Sequence, residues 1–153
     1  MFRFKHFESL TDGEIKLVLE GTSPQNKTLG HVPSYKFYIT LHDHQETIVG
    51  KIDLRIGFNE HTYYSGHIGY EVYKPYRGNH YAAKACKIIK QVAKAHEMDT
   101  LYITCNPDNI ASQKTCIHAG LTLIKIIDIP SHIDLYKYGE KQKCLFEWIL
   151  NKE

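Results

Sequence analysis

The chain has 153 residues, 42% of them hydrophobic and 24% charged, with a formal net charge of +2 at pH 7. That length supports one domain with one sizeable core, expected to span residues 1–153, and the composition excludes a mostly disordered chain. No run approaches the roughly 18 consecutive apolar residues of a membrane-spanning helix, and the charge is too small to point to a nucleic-acid partner, so neither membrane nor nucleic acid is expected.

The elements follow from hydrophobic period. Residues 14–20 (EIKLVLE) alternate Ile15, Leu17 and Leu19 on one face and predict a strand. Residues 21–34, rich in Gly, Ser, Thr, Pro and Asn, predict a loop. Residues 36–41, with Phe37, Ile39 and Leu41 inward, and residues 48–56 predict a hairpin turning at 42–46. Residues 58–65 predict a further turn, and residues 67–73 (HIGYEVY) a fourth strand.

The period then changes to helical: Tyr81, Ala85, Ile88, Ile89, Val92 and His96 predict a helix capped near Asn79. A short strand is expected at 100–105 and a second helix from Asn109 to about Ala119, stopped by Gly120. Strands at 121–129 and 143–150 flank a loop, 130–141, that carries Tyr136 and Tyr138. Four strands, helix, strand, helix, strand, strand describe an α/β sandwich. Its mixed central sheet is antiparallel at first and β-α-β-α-β-β in its C-terminal part.

Several side chains carry chemical options. Cys86, Cys105, Cys116 and Cys144 form no C-x-x-C pair. With no apolar run behind the basic residues of the first six positions, no secretory leader is expected, and the cysteines read as free thiols in a reducing cytoplasm. His42-Asp43-His44 is the one tight histidine cluster; its polar surroundings read as a hairpin turn, and no metal is expected. Between Val72 and His96 stand six basic residues (Lys74, Arg77, Lys84, Lys87, Lys90, Lys94) and no acidic one. This is either a solvated basic face or a device that draws a phosphate-bearing ligand to the helix N-terminus, where unpaired N–H groups favour anions.

Two motifs resemble the GNAT superfamily of N-acetyltransferases. Val72-x-x-Pro75-Tyr76-Arg77-Gly78-x-x-x-Ala82 looks like its acyl-CoA-binding segment, usually Gln/Arg-x-x-Gly-x-Gly/Ala, with His80 in place of the middle glycine. Asn109-x-x-Ser112-x-x-x-Cys116-x-x-x-Gly120-Leu121 resembles its Asn-x-x-Ala/Ser-x-x-x-Tyr-x-x-x-Gly-Phe pattern, with Cys116 where tyrosine is common. The motif-bearing likeness covers about residues 66–129. It implies a GNAT-type sandwich, acetyl-CoA as co-substrate and transfer of the acetyl group to a primary amine of a small molecule or peptide by direct attack.

The resemblance further implies that Val72, Tyr73, Arg77, Gly78, Asn79, His80, Tyr81, Ala82, Ala83 and Asn109 bind the cofactor. The main chain near Gly78 to Ala83 would cradle the pyrophosphate, His80 serving there if its φ and ψ take negative helical values. Val72 would offer its N–H to the thioester oxygen. Such proteins carry two helices between the first and second strands, for which residues 21–34 leave little room, so the acceptor side is expected to be built differently. Glu71 is the candidate general base, with an ion pair or plain solvent exposure as its other readings and His67 as the alternative base. Cys116 is either the acid that protonates the leaving thiolate or a small core residue. A non-catalytic CoA-binding module with the same fold is the competing reading. Oligomeric state stays open, a homodimer being one option.

Overall fold

Alternating apolar residues make the first sheet. The structure, a computed structural model, describes residues 2–150; Met1 and residues 151–153 lie outside the described residues. Strands β1 (Ile15–Ser23), β2 (Ser34–Leu41), β3 (Ile48–Arg55) and β4 (Ile68–Val72) pair antiparallel in that spatial order. Ile15, Leu17, Tyr35, Phe37, Ile39, Ile52, Leu54 and Ile68 bury one face of this sheet. The other face turns Lys36, Lys51 and Glu71 to solvent. β1 continues past Glu20, because beyond an irregularity between Leu19 and Gly21 its last residues pair with Lys36, Tyr35 and Ser34. Leu19, expected inward, is half exposed at that irregularity. Residues 24–33 make a turn in which Asn26 and His31 exchange two backbone bonds of 2.9 Å, with no helix between β1 and β2.

The residues expected as a turn at 58–65 contain a helix, α1 (Glu60–Ser65). Asn59 and Thr62 cap it reciprocally: the Thr62 N–H donates to the Asn59 side chain and the Asn59 N–H to the Thr62 hydroxyl, both at 2.9 Å. Six residues are too few for a helical period to be read from sequence. The long helix α2 (Tyr81–Ala95) crosses the buried face of the first sheet through Ala85, Ile88, Ile89 and Val92. After it come β5 (Thr100–Cys105), α3 (Ile110–Ala119), β6 (Thr122–Asp128), a single turn α4 (Asp134–Lys137) inside the expected loop, and β7 (Gln142–Ile149). β7 lies between β5 and β6 and pairs antiparallel with both.

The expected mixed sheet is thus divided into two antiparallel sheets that meet where β4 begins. His67, fully buried, makes the joint. Its backbone N–H donates to the Tyr102 carbonyl at 2.7 Å, and the Tyr102 N–H donates to its Nδ1 at 2.9 Å. Its Nε2–H donates to the Gly57 carbonyl at 2.8 Å. Gly66 precedes it with φ +81°, and a Cβ there would lie 3.0 Å from the Thr104 nitrogen and 3.2 Å from the Tyr102 oxygen, so the approach of the two strands requires glycine. Beyond this joint, among the described residues, no ladder connects β4 to β5.

With both ring nitrogens used, His67 is held neutral. Burial lowers its pKa to about 4, and the Arg55 guanidinium adds to the lowering. As pH falls, the unfolded chain takes up this proton first, near its ordinary 6.5, so the imidazole's contribution is complete above that value and is lost as pH falls through about 4. Thermal melts should therefore show the melting temperature dropping between pH 6.5 and pH 4, by the equivalent of about 3 kcal/mol of stability. His67→Gln should lower the melting temperature at pH 7 and flatten that drop; an unchanged slope would show that other groups cause it.

Candidate active site

The strand-to-helix connection after β4 is built to leave main-chain N–H groups unpaired. Pro75 sits inside a 3₁₀ turn, Lys74–Tyr76, that closes on the Tyr73 carbonyl. Arg77 folds back so that its Nε–H donates to the Val72 carbonyl at 2.9 Å and closes the turn. Gly78 has φ +93° with open space around its Cα, so a side chain there is excluded by backbone strain and not by a neighbour. Asn79 is not the helix cap. Its side-chain N–H donates to the Tyr76 carbonyl at 3.0 Å, and His80 is the residue that starts α2.

His80 departs from expectation in conformation. Its φ of 60° and ψ of 24° are left-handed, not negative helical values. The position therefore keeps the geometry that suits glycine, at a cost of about 1–2 kcal/mol for a residue with a Cβ. Among the described residues no side chain caps α2, so the first-turn N–H groups of Tyr81, Ala82 and Ala83 are not met by one. The basic residues do not all converge on that end. Lys84 is ion-paired with Glu14, and Lys90 lies 4.6 Å over the Trp148 ring.

The second half of the site is the edge of β4. Bonds from the Arg55 N–H to the His67 carbonyl and from the Tyr73 N–H to the Val49 carbonyl set the ladder with β3. By its alternation, the N–H and C=O groups of Tyr70 and Val72 point away from β3, into the divergence from β5. Opposite them stands the start of α3. Asn109 caps this helix, its side-chain oxygen accepting from the Ser112 N–H at 3.1 Å. Asn106, at the end of β5, has a buried Oδ1 with no hydrogen-bond partner among the described residues. Sequence reading did not single out Asn106; an unpaired buried oxygen can be seen only in three dimensions.

Tyr70, also missed from sequence, bridges the two halves. Its hydroxyl lies 2.6 Å from the Ser112 hydroxyl and 3.9 Å from the Cys116 Sγ. Cys116 is fully buried, and burial pushes its thiol up to about 12. Burial likewise raises the Tyr70 phenol and the Cys86 thiol. All four cysteines are free and buried.

On the outer face, Glu71 is exposed and stands opposite Lys51 in the register. Lys51 is engaged elsewhere, 3.2 Å from Glu20, whose carboxyl is held below its ordinary range by bonds from Lys51 and Tyr38. Of the three readings of Glu71, the ion pair is not the one seen among the described residues. His67, with both nitrogens bonded and its pKa lowered, has no lone pair to offer as a base. His42 is bonded to the Thr11 hydroxyl at 3.0 Å. Among the described residues no group of three or more His, Cys, Asp or Glu side chains is gathered for a metal ion, and no helix is long and apolar enough to cross a membrane. The arrangement can therefore bind an anion at the start of α2. It can also hydrogen-bond an extended amide-bearing chain between β4 and the β5–α3 corner, with a carboxylate on the far face of β4.

The sequence matches the family profile described as an acetyltransferase (GNAT) domain over residues 3–122. No curated protein matches it. Among solved structures, a Vibrio cholerae protein provisionally named a ribosomal-protein-serine acetyltransferase superposes with a TM-score of 0.58 at 25% identity, over 76% of this chain and 64% of that one. A GNAT-family acetyltransferase from Bacillus anthracis superposes with a TM-score of 0.60 at 21% identity, over 76% and 67%. The microcin C7 self-immunity acetyltransferase MccE, solved with acetyl-CoA and AMP, gives 0.56 at 17% identity, over 76% and 61%. The chain thus spans less than two thirds of the Vibrio cholerae and MccE proteins.

The burial of the thiols gives a direct check. In the native chain at pH 7, none of the four cysteines should react with iodoacetamide on the time scale of an exposed thiol, and all should react after denaturation. Rapid native labelling of Cys116 would mean that its pocket is open to solvent.

Proposed function

The chain belongs to the GNAT acetyltransferase family, and on that premise we propose that it is an acetyl-CoA-dependent N-acetyltransferase acting on a primary amine. The observation that carries the reading is the parting of β4 from β5 beyond His67, which leaves the N–H and C=O groups of Tyr70 and the N–H of Val72, whose carbonyl is held by Arg77, facing a gap that ends at the start of α2. The residues present fit the cofactor's chemistry. The first-turn N–H groups after His80, with Gly78 and Arg77 beside them, suit a pyrophosphate. The unpartnered Asn106 oxygen, next to the Asn109 cap, suits an amide N–H of the pantetheine arm. Acetyl-CoA supplies an acetyl group already activated as a thioester.

The remaining steps fall to the chain. An amine arrives largely as the ammonium ion, whose reference pKa of about 10 leaves it without a lone pair, so a base must take its proton. Glu71, exposed on the outer face one residue before Val72, fills that role. The Val72 N–H donates to the carbonyl oxygen on which charge develops. We assign Cys116 to packing beneath Tyr70 and not to proton donation. A thiol held at about 12 does not give its proton to a thiolate whose reference pKa is about 8.5. The leaving thiolate takes its proton from water, and the hydroxide so formed is neutralised by the second proton that the attacking nitrogen sheds. Without helices between β1 and β2, the outer face beside Glu71 is open enough to admit a peptide amine as well as a small molecule.

Calorimetry should detect acetyl-CoA binding, and the cofactor should raise the melting temperature by mass action. No binding at millimolar acetyl-CoA would end the reading. Turnover against a panel of amines, followed by thiol release, should separate enzyme from module: binding without release would leave a non-catalytic CoA-binding domain. Glu71→Gln should lower kcat by about 10² with little change in acetyl-CoA affinity. An unaltered kcat and pH–rate profile would remove Glu71 as the base.

A further inference from the structure

The residue that opens α2 keeps a glycine's conformation while carrying an imidazole, and something must hold it there. His80 has φ 60° and makes no side-chain capping bond to its own helix. Its carbonyl accepts from the Lys84 N–H at 3.0 Å, which any first helical residue would allow. The distinctive contact is with another element. The His80 ring lies flat on the ring of His118, centroids 4.1 Å apart and planes within 15°. His118 sits in the last turn of α3, two residues before the left-handed Gly120 that ends it. Both rings are at the surface, so the stack ties the start of α2 to the end of α3 without filling the core.

We propose that His118 is a positioning residue for the cofactor. By stacking on His80 it holds residue 80 left-handed, and so fixes the direction of the N–H groups of Tyr81, Ala82 and Ala83. The inference rests on the acetyltransferase reading and deepens it. A residue with a Cβ enters the left-handed region in a small minority of its conformations, although histidine is among the more tolerant types. Left to itself, His80 divides its time between that conformation and the extended or right-handed ones. A ligand that binds only the left-handed form then sees its affinity reduced by the fraction of chains that hold it. Stacking restores the population. A glycine at position 80 needs no such support, because it adopts positive φ without a steric penalty.

The test is a double-mutant cycle with CoA as the probe, read by calorimetry and by the acetyl-CoA KM. His118→Ala should weaken CoA binding and raise that KM by about tenfold, while kcat and melting temperature stay near those of the parent. His118→Phe, which keeps a flat ring, should restore most of the loss. In a His80→Gly background the same His118→Ala change should cost no affinity. If the parent binds CoA and His118→Ala binds it equally well, the inference is wrong and the acetyltransferase reading stands. It is also wrong if His118→Ala weakens binding as much in the glycine background as in the parent, since His118 would then act on the cofactor directly. A parent chain that does not bind CoA at all removes the acetyltransferase reading, and this inference with it.

Discussion

Two sheets are joined by one buried imidazole, and the site depends on where that joint lies. His67 binds Tyr102 through its main chain and its Nδ1, and reaches Gly57 with its Nε2–H. The contacts use every polar atom of the ring, so the joint is specific in register as well as firm. Past it, β4 runs on while paired only with β3, and β5 only with β7. An antiparallel ladder on one side and none on the other leaves an edge whose donors and acceptors need partners. On the function proposed above, the partner is the extended arm of the cofactor, read along this edge by main-chain groups.

On the proposed function, the cofactor side and the acceptor side are built on opposite principles. On the cofactor side, the direction of backbone N–H groups is set by tight turns: the Pro75 turn, the Arg77 bond to Val72, the positive φ of Gly78 and of His80. Backbone dipoles at a helix start are fixed by the helix itself, so the anion site needs little from side chains. The lysines of α2 bear this out in part, since Lys84 is held by Glu14 instead of facing the helix start. The proposed acceptor side consists of side chains on an open sheet face, where Lys51 and Glu20 are paired to each other and Glu71 is exposed. Such a surface can change its acceptor by exchanging side chains while the fold and the cofactor loop stay as they are.

Both departures from the family motifs are accommodated by residues on other elements. At position 80, the histidine keeps the left-handed backbone and rests on a ring from α3. At position 116, the buried cysteine lies 3.9 Å from the hydroxyl of Tyr70, which comes from β4 and meets Ser112 beside it. In each case a change of shape in one element is met by a side chain from its neighbour, as close packing demands.

The sequence by itself determined the order of elements, the long amphipathic helix and the strand-to-helix turn at Arg77–Gly78, because these follow from period and turn chemistry over adjacent residues. It also pointed to Glu71, one residue before the first motif, and to His80, Asn109 and Cys116, which stand at fixed offsets within the motifs. It could not show the short helix α1, whose six residues leave no readable period. Nor could it show Asn79 yielding the cap to His80, or His67 as a neutral joint instead of a base. Residue spacing cannot reveal that the sheet divides between β4 and β5 at His67, or that Tyr70 meets Cys116 and His80 meets His118. Those facts depend on contacts between residues 35 to 46 positions apart, and only the folded chain brings such groups within reach of a hydrogen bond or a stacked ring.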